Sequence, residues 1–435
     1  MDPAIIGIIG LILFLIVIFA GVPISYAMLI GGLWGVCYLR SPIAAFDIVS
    51  KDILSTFSSF SLTVIPMFVF MGFIAFYSGI GGDLFNLSHK FVGHYRGGLA
   101  LASQAACALF GAICGSLAAS VATIGSIAHP EMKKYNYDSS LSTGSIAAGA
   151  AIGSLIPPSV LFIIYGIATE QSIGRLFLAG ILPGILLMLL YMCTIIIITA
   201  RNPSLAPAGP KTKWKERFAA FRGGLIEVFI VFFLSLGGLF LGWFTPTEAG
   251  AVGAISLLIL TTFEKRMNWD KLKNSLFDTT KLSAMIFLLV AGATIYGRFF
   301  AMTRIPFELG AWVSALEIPP FLVVGTIIVI YLLLGFVIDA LALILLTIPI
   351  FYPVVVTSLG YDPIWFGVII LLVVSMGSVT PPIGLNVYIM KGVAPEVPLE
   401  TIFKGVWPFV LADLTCVIIL IAFPKIITIL PDMLL

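Results

Sequence analysis

Two short motifs of the same kind break apolar stretches of the sequence with a pair of prolines. They are GSLIPP (Gly153–Pro158) and GSVTPP (Gly377–Pro382). Proline has no N–H and blocks the carbonyl one turn earlier, so each pair frees backbone oxygens beside hydroxyl side chains. Such oxygens are ligands for a hard, weakly charged cation such as Na⁺, and the half-helix that starts after the break suits a carboxylate. A plain proline kink is the alternative interpretation of each motif.

Each proline motif follows an apolar stretch that glycine interrupts. The interruptions are FGAICGS (Phe110–Ser116) within 97–134 and LGFVID (Leu334–Asp339) within 320–357. Glycine in mid-stretch is what the tip of a re-entrant helical hairpin needs, because non-helical backbone at membrane depth must be satisfied by protein or a cavity. If each hairpin tip lies beside the proline break of its own half, the sequence predicts two cation sites. The first comprises Gly111, Gly115, Ser116, Ser154 and Pro157, and the second comprises Gly335, Asp339, Gly377, Ser378 and Thr380.

Two further polar residues are candidates for contact with a substrate. Asn386 follows the second proline pair by about one turn, and Ser159 holds a nearby place in the first half. Asp339 is the most informative ionisable residue, since a carboxylate in mid-membrane is costly and is by default a functional hypothesis. Its role stays open between a cation ligand, a proton site and a cap on a hairpin helix.

Three other charged residues in apolar stretches have simpler interpretations. Arg298, near the end of its stretch, is expected to extend to the membrane interface, with substrate contact as the less favoured alternative. Glu227 and Asp413 lie near the ends of apolar stretches and are interpreted as interfacial.

The composition requires lipid as the solvent. The chain has 435 residues, of which 60% are hydrophobic and only 10% charged, and its mean hydropathy is +1.14. Soluble domains usually contain about a quarter charged residues. A multi-pass membrane protein in contact with the lipid bilayer is therefore expected, with no nucleic-acid partner.

Apolar runs long enough to cross a bilayer alternate with amphipathic segments. The predicted crossings are 4–20, 23–39, 62–81, 142–168, 176–200, 223–243, 245–263, 282–302, 363–390 and 405–424. The segments 43–61, 82–96, 264–281 and 303–318 are predicted to lie along the membrane surface. A basic, proline-rich linker at 201–222 separates a first half, 1–200, from a second, 223–435.

The two halves are an internal repeat. Gly111 matches Gly335 and Thr123 matches Thr347 at one constant spacing, and the two proline motifs match at the same spacing. Five crossings plus one hairpin in each half make the second copy enter the membrane from the opposite side. The sequence therefore predicts an all-α fold with inverted repeats, an architecture typical of secondary transporters.

The distribution of basic residues predicts the orientation of this topology. If the linker 201–222 is cytoplasmic, most of the 23 Lys and Arg fall on the cytoplasmic side, as the positive-inside rule requires. The exceptions near the other face are Arg40, Lys51, Arg175, Arg298, Arg304 and Lys425. Both termini are then expected outside.

Several long stretches resemble one known family, the large membrane subunit (DctM-like) of tripartite ATP-independent periplasmic (TRAP) transporters. They are GVPISYAM, PMFVFMGFIAFYSGIGGDLF, GAICGSLAASVATIGS, GSLIPPS, TPTEAGAVGA and VTPPIGLNVY. The resemblance covers essentially the whole chain.

The resemblance implies an elevator-type transporter of the bacterial inner membrane, with a scaffold domain and a moving transport domain. It also implies Na⁺ as coupling ion, with cation sites at the hairpin tips and broken helices. The implied partners are a small four-helix membrane subunit, expected as a separate chain, and a periplasmic substrate-binding protein. The implied substrates are carboxylates, such as C4-dicarboxylates or sialic acid.

Two other functions compete with coupled transport. An intramembrane enzyme is disfavoured because the sequence has no His-Glu-x-x-His, no Gly-x-Ser-x-Gly and no Gly-Lys-Ser/Thr phosphate loop. A channel or uncoupled permease stays open, because inverted repeats with broken helices occur in channels too.

Overall fold

The fold is entirely helical in the part of the chain that is described. The computed structural model describes residues 2–209, 212–221, 223–315 and 318–434. Within these ranges every regular element is a helix, which confirms the predicted all-α class. Residues 210, 211 and 222 of the predicted linker, including Lys211 and Arg222, lie outside the described residues.

The first half contains ten α-helices and a short 3₁₀ segment, Phe60–Thr63, within the described residues. The helices are α1 (Pro3–Phe19), α2 (Ile24–Leu39), α3 (Pro42–Phe57), α4 (Val64–Ser78), α5 (Ile80–Val92), α6 (Gly98–Cys114), α7 (Leu117–Lys134), α8 (Ser139–Leu155), α9 (Val160–Thr169) and α10 (Ile173–Arg201).

The linker carries a 3₁₀ turn, Pro203–Leu205, and the short helix α11 (Trp214–Ala220). The second half follows with α12 (Leu225–Phe232), α13 (Gly238–Phe240), α14 (Pro246–Phe263), α15 (Trp269–Thr303), α16 (Ile305–Ala315), α17 (Pro320–Gly335), α18 (Ala340–Tyr352), α19 (Pro363–Gly377), α20 (Leu385–Val393), α21 (Leu399–Ala422) and α22 (Lys425–Leu434). Two π-helical segments, Phe233–Gly237 and Pro353–Ser358, continue α12 and α18.

Several helices are long and apolar enough to cross a membrane. Within the described residues six qualify alone, and two bent pairs raise the number to eight. The pair α8 and α9 is bent by 42° at the first proline motif. The first two helices, α1 and α2, have 17 and 16 residues, at the lower limit of about 17 residues for a membrane span. The chain is therefore a multi-pass membrane protein.

The helices are interrupted at the glycine and proline motifs that predicted the breaks. The first hairpin, α6–α7, turns at Gly115 and Ser116, and the second, α17–α18, turns between Gly335 and Ala340. Both proline motifs interrupt their helices, and the bonds Pro157–Pro158 and Pro381–Pro382 are both cis. The order hairpin, broken helix, long helix is the same in the two halves, which is the order that a duplication predicts.

The boundary predicted at residue 281 was wrong. The segment 264–281 was expected to form a separate surface element, but α15 runs without a break from Trp269 to Thr303, over 35 residues. The matching place in the first half is interrupted between α3 and α4 by Ser58 and Ser59. The sequence from Asp270 to Met285 has neither glycine nor proline, so nothing ends the helix there.

The side of the membrane on which the linker lies is testable by labelling. Lys213, the residue directly before α11, is exposed, and the basic residues around it predict a cytoplasmic position. A single cysteine at position 213, in a chain without its native cysteines, should react with an impermeant maleimide only after the cells are opened. Reaction from outside intact cells would reverse the topology and the orientation of both hairpins.

Candidate functional site

The tip of the first hairpin lies directly against the first broken helix. Gly115 has φ +60 and ends α6, a conformation that costs a residue with a side chain about 1–2 kcal/mol. A Cβ atom at Gly115 would stand 2.1 Å from the carbonyl oxygen of Pro158. Only glycine therefore fits between the hairpin tip and the proline pair.

Each hairpin contacts its own broken helix through a pair of glycines. In the first half a Cβ at Gly111 would stand 2.4 Å from the Cα of Gly153. In the second half a Cβ at Gly377 would stand 2.9 Å from the backbone of Gly335. Small residues at such seams let two backbones approach closely inside a membrane. The structure thus brings together Gly335 and Gly377 of the second predicted site, and places Gly111 of the first against Gly153, the neighbour of Ser154.

The two broken helices meet at a pair of serines. The Oγ atoms of Ser154 on α8 and Ser375 on α19 are 2.8 Å apart, and both side chains are fully buried. Ser154 Oγ also donates to the carbonyl of Ala151, at 2.8 Å. The predicted first site therefore borders the second half of the chain as well as its own hairpin.

The second break gathers oxygen atoms in one short turn. Ser378 Oγ donates to the carbonyl of Ser375 at 2.6 Å, and Thr380 Oγ1 donates to that of Met376 at 2.7 Å. The carbonyl of Ser378 accepts from the backbone N–H of Asn386, at 2.9 Å. Carbonyl and hydroxyl oxygens keep further lone pairs, so this donor set fits a hard cation.

One candidate ligand was not predicted from the sequence. Ser120 on α7 is fully buried, and its Oγ has no hydrogen-bond partner among the described residues. It would lie 3.3 Å from a Cβ at Gly153, beside the first break. The only sequence signal is that Ser120 follows Ser116 by one helical turn and so shares its face.

A cavity lies where both hairpin tips and both broken helices converge. It holds about 210 Å³ of space for the centres of water-sized molecules. Residues of α4 and α15 form its other wall. It is lined by Val69, Gly72, Phe73, Cys114, Gly115, Ser116, Leu117, Ala118, Ala119, Val160, Leu161, Leu282, Met285, Ile286, Asp339, Ala340, Leu341, Ser378 and Leu385.

Four helices begin at this cavity. Their first residues, Leu117 of α7, Val160 of α9, Ala340 of α18 and Leu385 of α20, all line it. Each helix N-terminus carries a partial positive charge of about half an elementary charge. Four such ends around one small space favour an anion, and the mostly apolar lining keeps their field strong.

Asp339 caps one of these helices and also lines the cavity. Its Oδ2 accepts a hydrogen bond from the N–H of Leu341, at 3.1 Å, so Asp339 serves as a helix cap, one of the three roles that the sequence left open. The residue as a whole is exposed rather than packed away. Its second carboxylate oxygen can therefore serve a cation without loss of the cap.

The two predicted substrate contacts lie behind the cavity wall. Ser159 accepts from the N–H of Phe162 as the cap of α9, at 3.4 Å. Asn386 is fully buried, and its Nδ2 donates to the carbonyl of Ala147 at 3.4 Å, while its Oδ1 has no partner within the described ranges. Neither residue is among those that line the cavity, so their contact with substrate stays a prediction.

One of the simpler interpretations of charged residues needs correction. Asp413 is fully buried in the middle of α21, where its Oδ1 accepts from the Tyr191 hydroxyl at 2.5 Å, so it is not interfacial. Glu227 lies near a helix end as expected, in the first turn of α12, and is only 2% exposed. Arg298 forms a bidentate ion pair with Asp52 of α3, at 2.5 and 2.6 Å, and this pair holds its guanidinium at one end of α15.

Comparison with known proteins identifies the family. Residues 11–426 match the family model described as the tripartite ATP-independent periplasmic transporter, DctM component. The chain is 34% identical over 395 residues to the C4-dicarboxylate TRAP transporter large permease protein DctM of Pseudomonas aeruginosa, covering 91% of each chain. It is 31% identical to the sialic acid TRAP transporter large permease protein SiaM of Vibrio cholerae, covering 96% of each.

A solved structure agrees with the fold. The YdaH transporter of Alcanivorax borkumensis superimposes with a TM-score of 0.68, at 15% sequence identity, over 88% of this chain and 90% of that one. This likeness concerns the fold alone. From the family match and these relatives, the chain belongs to the tripartite ATP-independent periplasmic transporters, as a DctM-type large permease component.

Proposed function

We propose that the chain is the large transmembrane subunit of a sodium-coupled secondary transporter that imports a small organic acid across the bacterial inner membrane. The observation that carries this proposal is the cavity on which four helix N-termini and both hairpin tips converge. A channel would need a continuous polar path, whereas the lining of this space is mostly apolar and includes both hairpin tips.

The chemistry of the cavity supports an acid as the substrate. The cavity is lined by four helix N-termini, each with a partial positive charge, at Leu117, Val160, Ala340 and Leu385. A carboxylate placed there would be held by dipoles without the cost of burying a full counter-charge. Several relatives are named for acids: C4-dicarboxylates, sialic acid and 2,3-diketo-L-gulonate.

The oxygen atoms at the two breaks support Na⁺ as the coupling ion. Na⁺ must exchange its hydration shell for several oxygens, and Ser154, Ser378, Thr380 and Asp339 provide them beside carbonyls that the proline pairs release. A cation bound at either break would hold a hairpin tip against its broken helix. Because the same tips line the cavity, cation and substrate would favour each other's binding.

The packing supports an elevator-type movement, in which a transport body of the hairpins and broken helices slides along a scaffold. The cavity wall formed by α4 and α15 would belong to the scaffold. At one point of this boundary a Cβ at Gly72 of α4 would stand 2.8 Å from the carbonyl of Cys114. A close but small-residue contact of this kind suits sliding better than interlocking side chains would.

Uptake into proteoliposomes tests the proposal. The purified chain with its partner proteins should accumulate a radiolabelled C4-dicarboxylate or sialic acid when a Na⁺ gradient is applied. Replacement of Na⁺ by K⁺ should remove accumulation, and the diamide of the same acid should not compete. Current that rises linearly with voltage and does not saturate with substrate would support a channel instead.

The chain is also expected to need its partners, a small membrane subunit and a periplasmic substrate-binding protein. The surface helix α3 exposes large apolar side chains, with Ile43 at 85% and Leu54 at 70%, which a second membrane protein or lipid must cover. Omitting either partner from the proteoliposomes should reduce uptake to near background. Full sodium-driven uptake by the chain alone would contradict this prediction.

A further inference from the structure

The linker helix α11 presents two exposed aromatic side chains on one face. Trp214 is 66% exposed and Phe218 is 64% exposed. They lie one helical turn apart, with ring centroids separated by 6.1 Å. Because α12 enters the apolar part of the chain a few residues later, this face lies close to the membrane surface. Tryptophan and phenylalanine at that level are typical of an interfacial helix.

Between these rings and α5 lies an arginine without a carboxylate partner. The guanidinium carbon of Arg217 is 4.9 Å from the ring centroid of Trp214 and 5.8 Å from that of Phe91. Its Nη2 is 3.5 Å from Nδ1 of His94. Its Nε is buried and has no hydrogen-bond partner, and no acidic side chain pairs with it in the described part of the chain.

The charges around this arginine are mostly positive. Lys213 directly before α11, Lys215 on α11 and Arg96 after α5 are exposed, and Glu216 is the only acidic residue of α11. A guanidinium stays charged, and its planar fork of N–H groups matches the geometry of a phosphate. No carboxylate among the described residues pairs with Arg217, and the membrane surface beside this corner offers an anion.

We propose that the corner formed by α5 and α11 binds the headgroup of an anionic phospholipid. Arg217 would donate to the phosphate, Lys213 and Lys215 would add attraction, and Trp214 and Phe218 would lie at the boundary with the acyl chains. Since α5 packs against the first hairpin through α6, a lipid bound here would hold the linker against the transport body.

Lipid quenching of tryptophan fluorescence tests this proposal directly. The full chain is reconstituted with phosphatidylcholine and a minor fraction of brominated phosphatidylglycerol or brominated phosphatidylcholine. The signal of Trp214 is taken as the difference between the wild-type chain and Trp214→Phe. We expect stronger quenching by the anionic lipid, with the preference falling about fivefold for each basic residue removed, in Arg217→Gln and in Lys213→Gln/Lys215→Gln.

Controls separate the site from general surface charge. Lys273→Gln removes another exposed lysine, on α15, and should leave the preference unchanged. Arg217→Lys keeps the positive charge and should retain part of the preference for the anionic lipid. If Arg217→Gln fails to fold, the variant Lys213→Gln/Lys215→Gln tests the proposal instead. Both lysine side chains are exposed, so their replacement should leave folding intact. Equal quenching by the two lipids in the wild-type chain would overturn the proposal, as would full competition by glycerol 3-phosphate in solution.

Discussion

Replacing Gly115 by alanine is expected to abolish most transport while the chain still reaches the membrane. The new Cβ would stand 2.1 Å from the carbonyl oxygen of Pro158, on backbone that cannot move away without opening the first break. Overpacking of this kind costs about 1–3 kcal/mol, and the positive φ of +60 adds strain. Because the hairpin tip lines the cavity, the tip must shift, and binding at the site is lost.

Gly242 provides a control that separates the steric clash at Gly115 from the strain of a positive φ. Gly242 has φ +74 but has no atom within 4 Å of a Cβ position. Gly242→Ala should therefore carry the same conformational cost and leave sodium-driven uptake near the wild-type level. Equal uptake by the two variants, measured per amount of folded protein, would show that the contact between tip and break is not needed for transport.

The positions of the hairpin tips and breaks were predictable because their causes are local. Pro157 and Pro381 remove backbone donors wherever they stand, and Gly115 permits a left-handed turn by itself. The cap at Asp339 is also local, since its carboxylate reaches an N–H only two residues away. The matching motifs of the two halves also gave each signal twice, so that a kink in one half could be compared with a kink in the other.

Contacts between distant segments could not be predicted in this way. The meeting of Ser154 with Ser375 and of Tyr191 with Asp413 joins helices from the two halves, and no pattern along the chain specifies which side chains face each other there. Asp413 illustrates the difference, because its fully buried contact with Tyr191 of the other half cannot be read from its own segment. Ser120 was missed for the same reason: its unpaired hydroxyl is a property of the packed site.

Asp339→Asn is expected to raise the Na⁺ concentration for half-maximal uptake by about tenfold or more, the change that about 1.4 kcal/mol of lost binding free energy produces. Asparagine also caps helices well, so the bond to Leu341 N and the start of α18 should survive. What is removed is the negative charge beside the second break. Asp362→Asn is the matched control, because Asp362 caps α19 through Trp365 N at 2.7 Å but does not line the cavity.

Ser154→Ala tests the first site in the same assay, with Ser375→Ala as its pair. Both changes remove the 2.8 Å hydroxyl contact between α8 and α19, so any effect of that contact alone is common to the two variants. If Ser154 Oγ also binds Na⁺, only Ser154→Ala should raise the Na⁺ concentration for half-maximal uptake. The expected increase is several-fold, because one neutral ligand contributes about 1 kcal/mol. Unchanged sodium dependence in both Asp339→Asn and Ser154→Ala would place the cations elsewhere, and the proline pairs would then act only as kinks.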